Sequence, residues 1–284
     1  MMINGKTKIV GIFGWPVEHT FSPLMHNTAF THMNLNYVYV PFPVNPERLE
    51  AAVDGIRGLG LAGVNVTIPH KSSVIPYLDR IDEAARLIGA VNTIVNNNGI
   101  LTGYNTDSPG FVKSLEQDSG ITPTGKRIFI LGAGGAARAV SIQLALAGAR
   151  AIVFSTRVPR KSAELQDIIT GSTNTEVTET VWGDAASTGI QQIDILINST
   201  PLGMYPHTDK MPPVNFKALP DTAVVCDLIY NPRETLLLQK ARETGLRTLN
   251  GLGMLLYQGA IAFELWTNTK APVELMKARL DKTI

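Results

Sequence analysis

An α/β architecture of two domains follows from three features of the sequence. Strand-like and helix-like runs alternate along most of the chain, the pattern of a sheet with crossover helices. Near the middle, the apolar run Ile128-Phe129-Ile130-Leu131 leads straight into Gly132-Ala133-Gly134-Gly135-Ala136-Ala137, and a helix-like pattern follows. The chain has 284 residues, enough for two domains of ordinary size. Together these predict an N-terminal mixed, mostly parallel α/β domain and a doubly wound Rossmann domain.

The first hundred residues read in order as follows. Lys8 to Phe13 is a strand, Pro23 to Met33 a helix, Tyr37 to Val40 a strand, Pro46 to Leu59 a helix and Gly63 to Thr67 a strand. This βαβαβ order implies a parallel sheet with right-handed crossovers. Ser72 to Leu78 and Asp82 to Ile88 read as two more helices. Thr93-Ile94-Val95 and Ile100-Leu101-Thr102 flank Asn97-Asn98-Gly99, a hairpin signal because the tightest turns need residues that tolerate positive φ.

Beyond Asp107 a helix to about Glu116 is expected, and Thr122-Pro123-Thr124-Gly125 leads into the second domain. Its strands are read from Arg127 onward, then at Ala151 to Phe154, Glu176 to Trp182, Ile193 to Ile197, Ala223 to Cys226 and Arg247 to Leu249. Gly171 to Thr180 reads as a mobile surface loop that becomes strand. Met254, Leu255, Tyr257, Ala260, Ile261, Phe263 and Trp266 mark a long amphipathic helix.

Hydrophobic residues make up 44% and charged ones 17%, which fits a well-cored globular protein. A net charge of +1 gives no field that favours nucleic acid or an anionic membrane. The single cysteine, Cys226, cannot form an internal disulfide and reads as a buried thiol in a reducing compartment. Met1 to Lys8 lacks an apolar signal core, and no run of 18 apolar residues occurs. The expectation is a cytoplasmic protein, monomer or homodimer, whose partner is a small molecule. The histidines and the cysteine form no clustered ligand set, so no metal is expected.

The glycine stretch carries the first chemical argument. Gly132 permits a tight turn, Gly134 lets backbone approach a pyrophosphate, and Ala137 holds the place where a small residue packs helix on strand. The new helix aims free N–H groups and its positive dipole end at phosphate. Gly132, Ala133, Gly134, Gly135 and Ala136 are thus candidate dinucleotide contacts, against the plainer reading of a tight turn without ligand. An NAD site usually places an acid roughly 20 residues past the glycines, to bind the ribose 2′-hydroxyl. The second strand here ends in Ser155-Thr156-Arg157, with Arg160 and Lys161 close behind. No acid stands there, and such a basic cluster suits the 2′-phosphate of NADP. The alternative is a solvated basic start to a helix.

Other polar residues follow strand ends of the first domain, where such sheets bind ligands. Ser22 before Pro23 reads as an N-cap and first helical residue, or as an anion-binding hydroxyl together with Thr20, and the two roles can coexist. Lys71 stands near a helix start, where a cation opposes the dipole; it is either a solvated lysine or a catalytic one. Asp107 or Ser108 reads as a cap for a helix beginning at Pro109.

Taken together the segments resemble the shikimate dehydrogenase family, including its shikimate/quinate branch. Eight blocks in the family's order cover nearly the whole chain: Gly14-x-Pro16-x-x-His19-Thr20-x-Ser22-Pro23, Asn65-Val66-Thr67-x-Pro69-x-Lys71, Gly89-Ala90-Val91-Asn92-Thr93, Asn105-Thr106-Asp107, Gly132 to Arg138, Asn198 to Met204, Asp227-x-x-Tyr230-x-Pro232 and Gly251-Leu252-Gly253-Met254-Leu255-x-x-Gln258. The resemblance implies that Lys71 and Asp107 form the catalytic pair and that Thr20 and Ser22 hold a substrate carboxylate. It implies that Thr67, Asn92, Tyr230 and Gln258 contact ring hydroxyls or the carboxylate. Glu83, Leu228 and Gly251 match positions bordering the cofactor, alongside Thr156, Arg157 and Lys161. It also implies that the last helices return to the first domain, giving a substrate domain of 1–106 plus 252–284 and a Rossmann domain of 107–251.

Two departures from the family pattern stand out. The first carboxylate hydroxyl is usually Ser and is Thr20 here, whose methyl narrows the pocket and bears on shikimate against quinate. The family's Asn-Arg-Thr after the second Rossmann strand reads Thr156-Arg157-Val158, keeping the Arg and losing two polar partners, which weakens the case for strict NADP use. The implied reaction is reversible, NADP-dependent oxidation of shikimate to 3-dehydroshikimate, in the route to aromatic amino acids. Lys71 would be base in one direction and acid in the other. The rivals are a quinate-using or dual enzyme, a Rossmann enzyme for another small substrate such as an aminoshikimate, and a non-catalytic NADP-sensing module.

Overall fold

The computed structural model describes residues 3–182 and 190–283. It divides into two compact units, Met1–Asp107 with Leu256–Ile284, and Ser108–Leu255. Each holds one six-stranded sheet.

In the first unit, β1 (Lys8–Gly14) lies between β2 (Tyr37–Pro43) and β3 (Gly63–Val66), parallel to both. The crossover helices are α1 (Ser22–His32) and α2 (Leu49–Gly58). The expected hairpin is β5 (Thr93–Asn97) and β6 (Ile100–Tyr104), joined antiparallel. Asn98 and Gly99 both take positive φ, +53° and +91°, as its two-residue turn requires. A two-residue strand, β4 (Arg80–Ile81), adds parallel to β6 and was too short to read in the sequence. After it comes α3 (Glu83–Ile88), with Asp82 as N-cap accepting the Ala84 N–H.

Three local expectations are corrected. Ser72 to Leu78 does not form an α-helix; it is turn with a 3₁₀ segment at Ile75–Tyr77. Pro76 lacks an N–H and disfavours helical backbone at Ile75, which explains the interruption. Ser22 is not the N-cap of α1: Phe21 holds that place and no side chain caps the helix. Gly171 to Thr180 holds only a short connection between α6 (Ala163–Ser172) and β9 (Glu176–Val181), anchored by the Thr175 hydroxyl donating to the Ala149 carbonyl at 2.8 Å.

The second unit is wholly parallel, in the order β12-β11-β10-β7-β8-β9. These strands are β7 (Arg127–Leu131), β8 (Ala151–Thr156), β9, β10 (Ile195–Asn198), β11 (Val224–Asp227) and β12 (Arg247–Leu249). Helices α4 (Asp107–Ser119), α5 (Gly135–Leu146) and α7 (Leu236–Glu243) also belong here, α4 opening on the last residue of the first unit. β7 is buried along Ile128 to Leu131, as a continuous apolar run in a parallel sheet should be. The order turns in opposite senses on the two sides of β7, so the switch point of the sheet lies between β7 and β10.

α8 (Leu252–Thr267) crosses the division of the chain, and α9 (Val273–Asp281) ends it. A Cβ at Gly259 would overlap Met25, which shows how closely α8 packs on α1. Between them His26 stacks on Tyr39 at 4.5 Å beside Phe30, Phe263 and Trp266. Neither of its ring nitrogens has a hydrogen-bond partner among the described residues, and burial lowers its pKa to about 3. His26 is therefore a neutral core residue.

Candidate active site

In the first unit the polar groups follow strand ends. β1 ends at Gly14, and the loop after it carries Thr20 into α1 at Ser22. A Cβ at Gly14 would overlap the Thr67 methyl, so glycine lets Thr67 lie against this loop. Thr67 follows β3; its N–H donates to the Phe13 carbonyl and its own carbonyl accepts the His70 N–H, both at 2.9 Å. That turn delivers Lys71. Asp107 comes from the end of β6, as the opening residue of α4, where a carboxylate complements the helix dipole.

Lys71 and Asp107 meet. The Nζ donates to Oδ2 at 2.7 Å, and the side chains are 35% and 19% exposed. Such a half-open ion pair adds little to stability, yet both groups stay within reach of a ligand.

Behind the pair runs a buried network that fixes Thr106, the residue before Asp107. Asn92 Oδ1 accepts the N–H of Thr106 at 2.7 Å, and Asn92 Nδ2 donates to the Thr106 hydroxyl at 3.0 Å. Asn65 Nδ2 donates to the Thr93 hydroxyl at 3.0 Å, which lies 3.1 Å from that of Thr106. Asn65 Oδ1 accepts the Tyr39 phenol at 2.7 Å, and the phenol in turn hydrogen-bonds Ser22. Burial raises the Tyr39 pKa well beyond its usual value, so the phenol stays a neutral donor. The predicted residues Ser22 and Asn92 are thus linked through Tyr39 and Asn65, and the network ends at Thr106, the neighbour of Asp107 in the chain. The sequence reading gave Tyr39 and Asn65 no role. The one available signal was Asn65, an amide inside an otherwise apolar, fully buried strand.

Thr20 is half-buried and its hydroxyl accepts the Ser22 N–H at 3.3 Å. Gln258 is buried on α8, and Glu83 is the first residue of α3.

In the second unit Gly132 has φ +101°, a conformation that side chains resist, and a Cβ there would crowd Ser199 and Thr200 at 3.0 Å. Nothing lies within 4 Å of a Cβ built at Gly134 or Gly135, so no packing demands glycine there. Both are exposed with Ala136, Ala133 is half-buried, and the first turn of α5 has no side-chain cap. Ala137 is fully buried against the sheet. Open backbone at an uncapped helix start fits a pyrophosphate. Arg157, Arg160 and Lys161 are exposed beyond β8, with the Arg157 guanidinium 5.5 Å from the Trp182 ring. These residues fit a phosphorylated dinucleotide. Thr156 is turned inward: its hydroxyl donates to Glu179 Oε1 at 2.6 Å, with the Val158 carbonyl at 2.8 Å.

At the ends of β10 and β11, Asn198 and Asp227 are register partners. Burial pushes the Asp227 carboxyl up to about 6, although the Thr235 hydroxyl, the Ile229 N–H and the Asn198 amide all donate to it. Asn198 Oδ1 accepts the Thr200 N–H at 3.0 Å, so this acid holds the loop that borders Gly132. Leu228 and Gly251 touch closely, since a Cβ at Gly251 would overlap the Leu228 carbonyl; Tyr230 is half-buried nearby in sequence. Among the described residues no group of three or more His, Cys, Asp or Glu could hold a metal ion, and no helix is long and apolar enough to cross a membrane.

Known proteins resemble this chain in sequence and fold. Residues 12–94 match the profile of the shikimate dehydrogenase substrate binding domain, and residues 251–280 that of the shikimate 5′-dehydrogenase C-terminal domain. The chain is 52% identical to the shikimate dehydrogenase (NADP(+)) of Desulforamulus reducens, over 99% of this chain and 97% of that protein. Among solved structures, a shikimate dehydrogenase in complex with NADP+ superposes with a TM-score of 0.89 at 46% identity, covering 100% and 98% of the two chains. A shikimate 5-dehydrogenase from Listeria monocytogenes, in complex with shikimate and NAD, gives 0.94 at 38% identity, covering 99% and 98%. With relatives this similar over its full length, the chain belongs to the shikimate dehydrogenase family.

Proposed function

We propose that this chain oxidises shikimate to 3-dehydroshikimate with NADP+, reversibly, the first unit binding shikimate and the second NADP. The observation that carries the reading is the Lys71–Asp107 pair, joined at 2.7 Å and open enough to be reached. Oxidising a secondary alcohol removes a hydride from the carbinol carbon and a proton from its oxygen. NADP+, when bound, supplies the hydride acceptor. Lys71 takes the hydroxyl proton, and in the reverse direction the ammonium returns it to the carbonyl oxygen. Asp107 accepts hydrogen bonds from Lys71 and from the reacting hydroxyl, so it orients both. Thr20 and Ser22 hold the carboxylate; Thr67, Asn92 and Gln258 face the ring hydroxyls. Gly132, Ala133, Gly134, Gly135 and Ala136 offer backbone to the pyrophosphate, and Arg157 with Lys161 meets the 2′-phosphate.

Purified protein given shikimate and NADP+ should form NADPH, and faster than with quinate. Lys71→Ala should cut kcat by about 10²–10⁴-fold, the usual share of acid–base catalysis, with the shikimate KM changed far less. Absence of NADPH with the unaltered chain, or near-normal turnover in the variant, defeats the reading.

A further inference from the structure

The loop that presents the basic trio is held by a single acid from the neighbouring strand. Glu179 stands on β9 in register with Phe154 of β8, two residues short of the strand end where the trio begins. Its Oε1 accepts the Thr156 hydroxyl at 2.6 Å and the Lys161 N–H at 3.1 Å. Its Oε2 accepts the Ser162 hydroxyl at 2.8 Å and the Gln166 amide at 3.4 Å. Four donors from residues 156–166 therefore converge on one half-buried carboxylate. Between its two ends the loop turns through Arg160, a non-glycine residue at φ +61°. Left-handed backbone at such a residue is costly unless its surroundings fix it.

Trp182, just past the end of β9, completes the support. Its N–H donates to the Thr156 carbonyl at 2.9 Å and its indole N–H to the Ser155 carbonyl at 3.0 Å. That fixes the ring beside which Arg157 rests. The end of β9 thus grips the loop at Thr156, Lys161 and Ser162 and backs the Arg157 guanidinium.

An acid close to the end of the second Rossmann strand ordinarily serves the ribose 2′-hydroxyl of NAD. Here both oxygens of Glu179 are already engaged by protein donors, so the same residue type does the opposite work. We propose that Glu179 is a positioning residue for NADP over NAD: it fixes residues 156–162 so that Arg157 and Lys161 meet the 2′-phosphate. This rests on the NADP reading above. The negative charge of Glu179 would repel that phosphate, and the proposal is that the fixed geometry of the cations outweighs the repulsion.

The test is kcat/KM for NADP+ and NAD+ at saturating shikimate, in the unaltered chain, Glu179→Gln and Glu179→Ala. The amide can keep the Thr156 and Lys161 bonds on its oxygen and offer its NH₂ to the Ser162 hydroxyl, so Glu179→Gln should hold the NADP/NAD ratio within about threefold. Glu179→Ala should lower the ratio by about tenfold, the usual scale for losing hydrogen bonds to a charged group. The loss should sit in the NADP+ KM, with kcat and the NAD+ values within about twofold, a split that general loss of fold does not give. Thr156→Val, a milder break that leaves the carboxylate, should lower the ratio by about threefold even if Glu179→Ala folds poorly. A ratio unchanged in both breaks, or lowered as far by Glu179→Gln as by Glu179→Ala, overturns the inference alone. An unaltered chain that uses both cofactors equally overturns the NADP reading and this inference with it.

Discussion

In the first unit the polar groups at and behind the strand ends are side chains tied to one another: Ser22 to Tyr39, Tyr39 to Asn65, Asn92 to Thr106. In the second unit they are largely backbone, left bare at Gly134 and Gly135 and at the uncapped start of α5. Side chains there, such as Glu179 and Asp227, hold loops instead. The difference follows from the ligands each unit is proposed to take. A small polyhydroxy acid is told from its neighbours by directed hydrogen bonds, which require side chains locked by a buried network. A pyrophosphate is met by N–H groups and a helix dipole, which require that side chains be absent.

If the second unit's acids are supports, their cost should show in stability. Asp227 has its pKa raised from 3.8 to about 6 by burial. The folded chain then holds that proton more tightly than the unfolded one, so this group's contribution falls as pH rises from about 4 to about 6 and is flat above. Asp227→Asn removes the titration. Relative to the unaltered chain the variant should gain on the order of 3 kcal/mol between about pH 4 and pH 7, read by urea unfolding at both. His26 works in the opposite sense, since burial lowers its pKa to about 3 and its contribution is lost as pH falls below 6.5. It is common to both proteins and cancels. An equal stability gap at the two pH values would contradict the account of Asp227.

The first unit gives a smaller and more specific effect. Tyr39→Phe keeps the stack on His26 but leaves Ser22 and Asn65 each a partner short. The kcat/KM for shikimate should fall about tenfold, ~1.4 kcal/mol, with the NADP+ KM unchanged. An unaltered kcat/KM would show that the network does not reach the substrate site, and an equal rise in the NADP+ KM would blur the contrast between the units.

Much of this was legible in the sequence. The run Ile128 to Leu131 before Gly132 announced a buried strand and a tight glycine turn, and Asn98-Gly99 announced the hairpin, because both depend on neighbours in the chain. That Lys71 lies 2.7 Å from Asp107 needed the fold, since 36 positions separate them and only the family resemblance paired them beforehand. Glu179 escaped because its partners lie on the preceding strand and loop, which the sequence does not show to be neighbours; the one signal was an acid on the strand face it shares with Val177 and Val181. Residue by residue, then, buried strands and tight turns could be read from local backbone chemistry, the segment from Ser72 to Leu78 was misread as helix, and contacts between residues far apart in the chain could not be read.

The measurement that bears most directly on the proposed chemistry uses shikimate carrying deuterium at C3, with the unaltered chain and NADP+. If the hydride leaves that carbon for the cofactor while Lys71 takes the hydroxyl proton, the NADPH formed will carry one deuterium per turnover. NADPH formed without the label, or no NADPH at all, would contradict it.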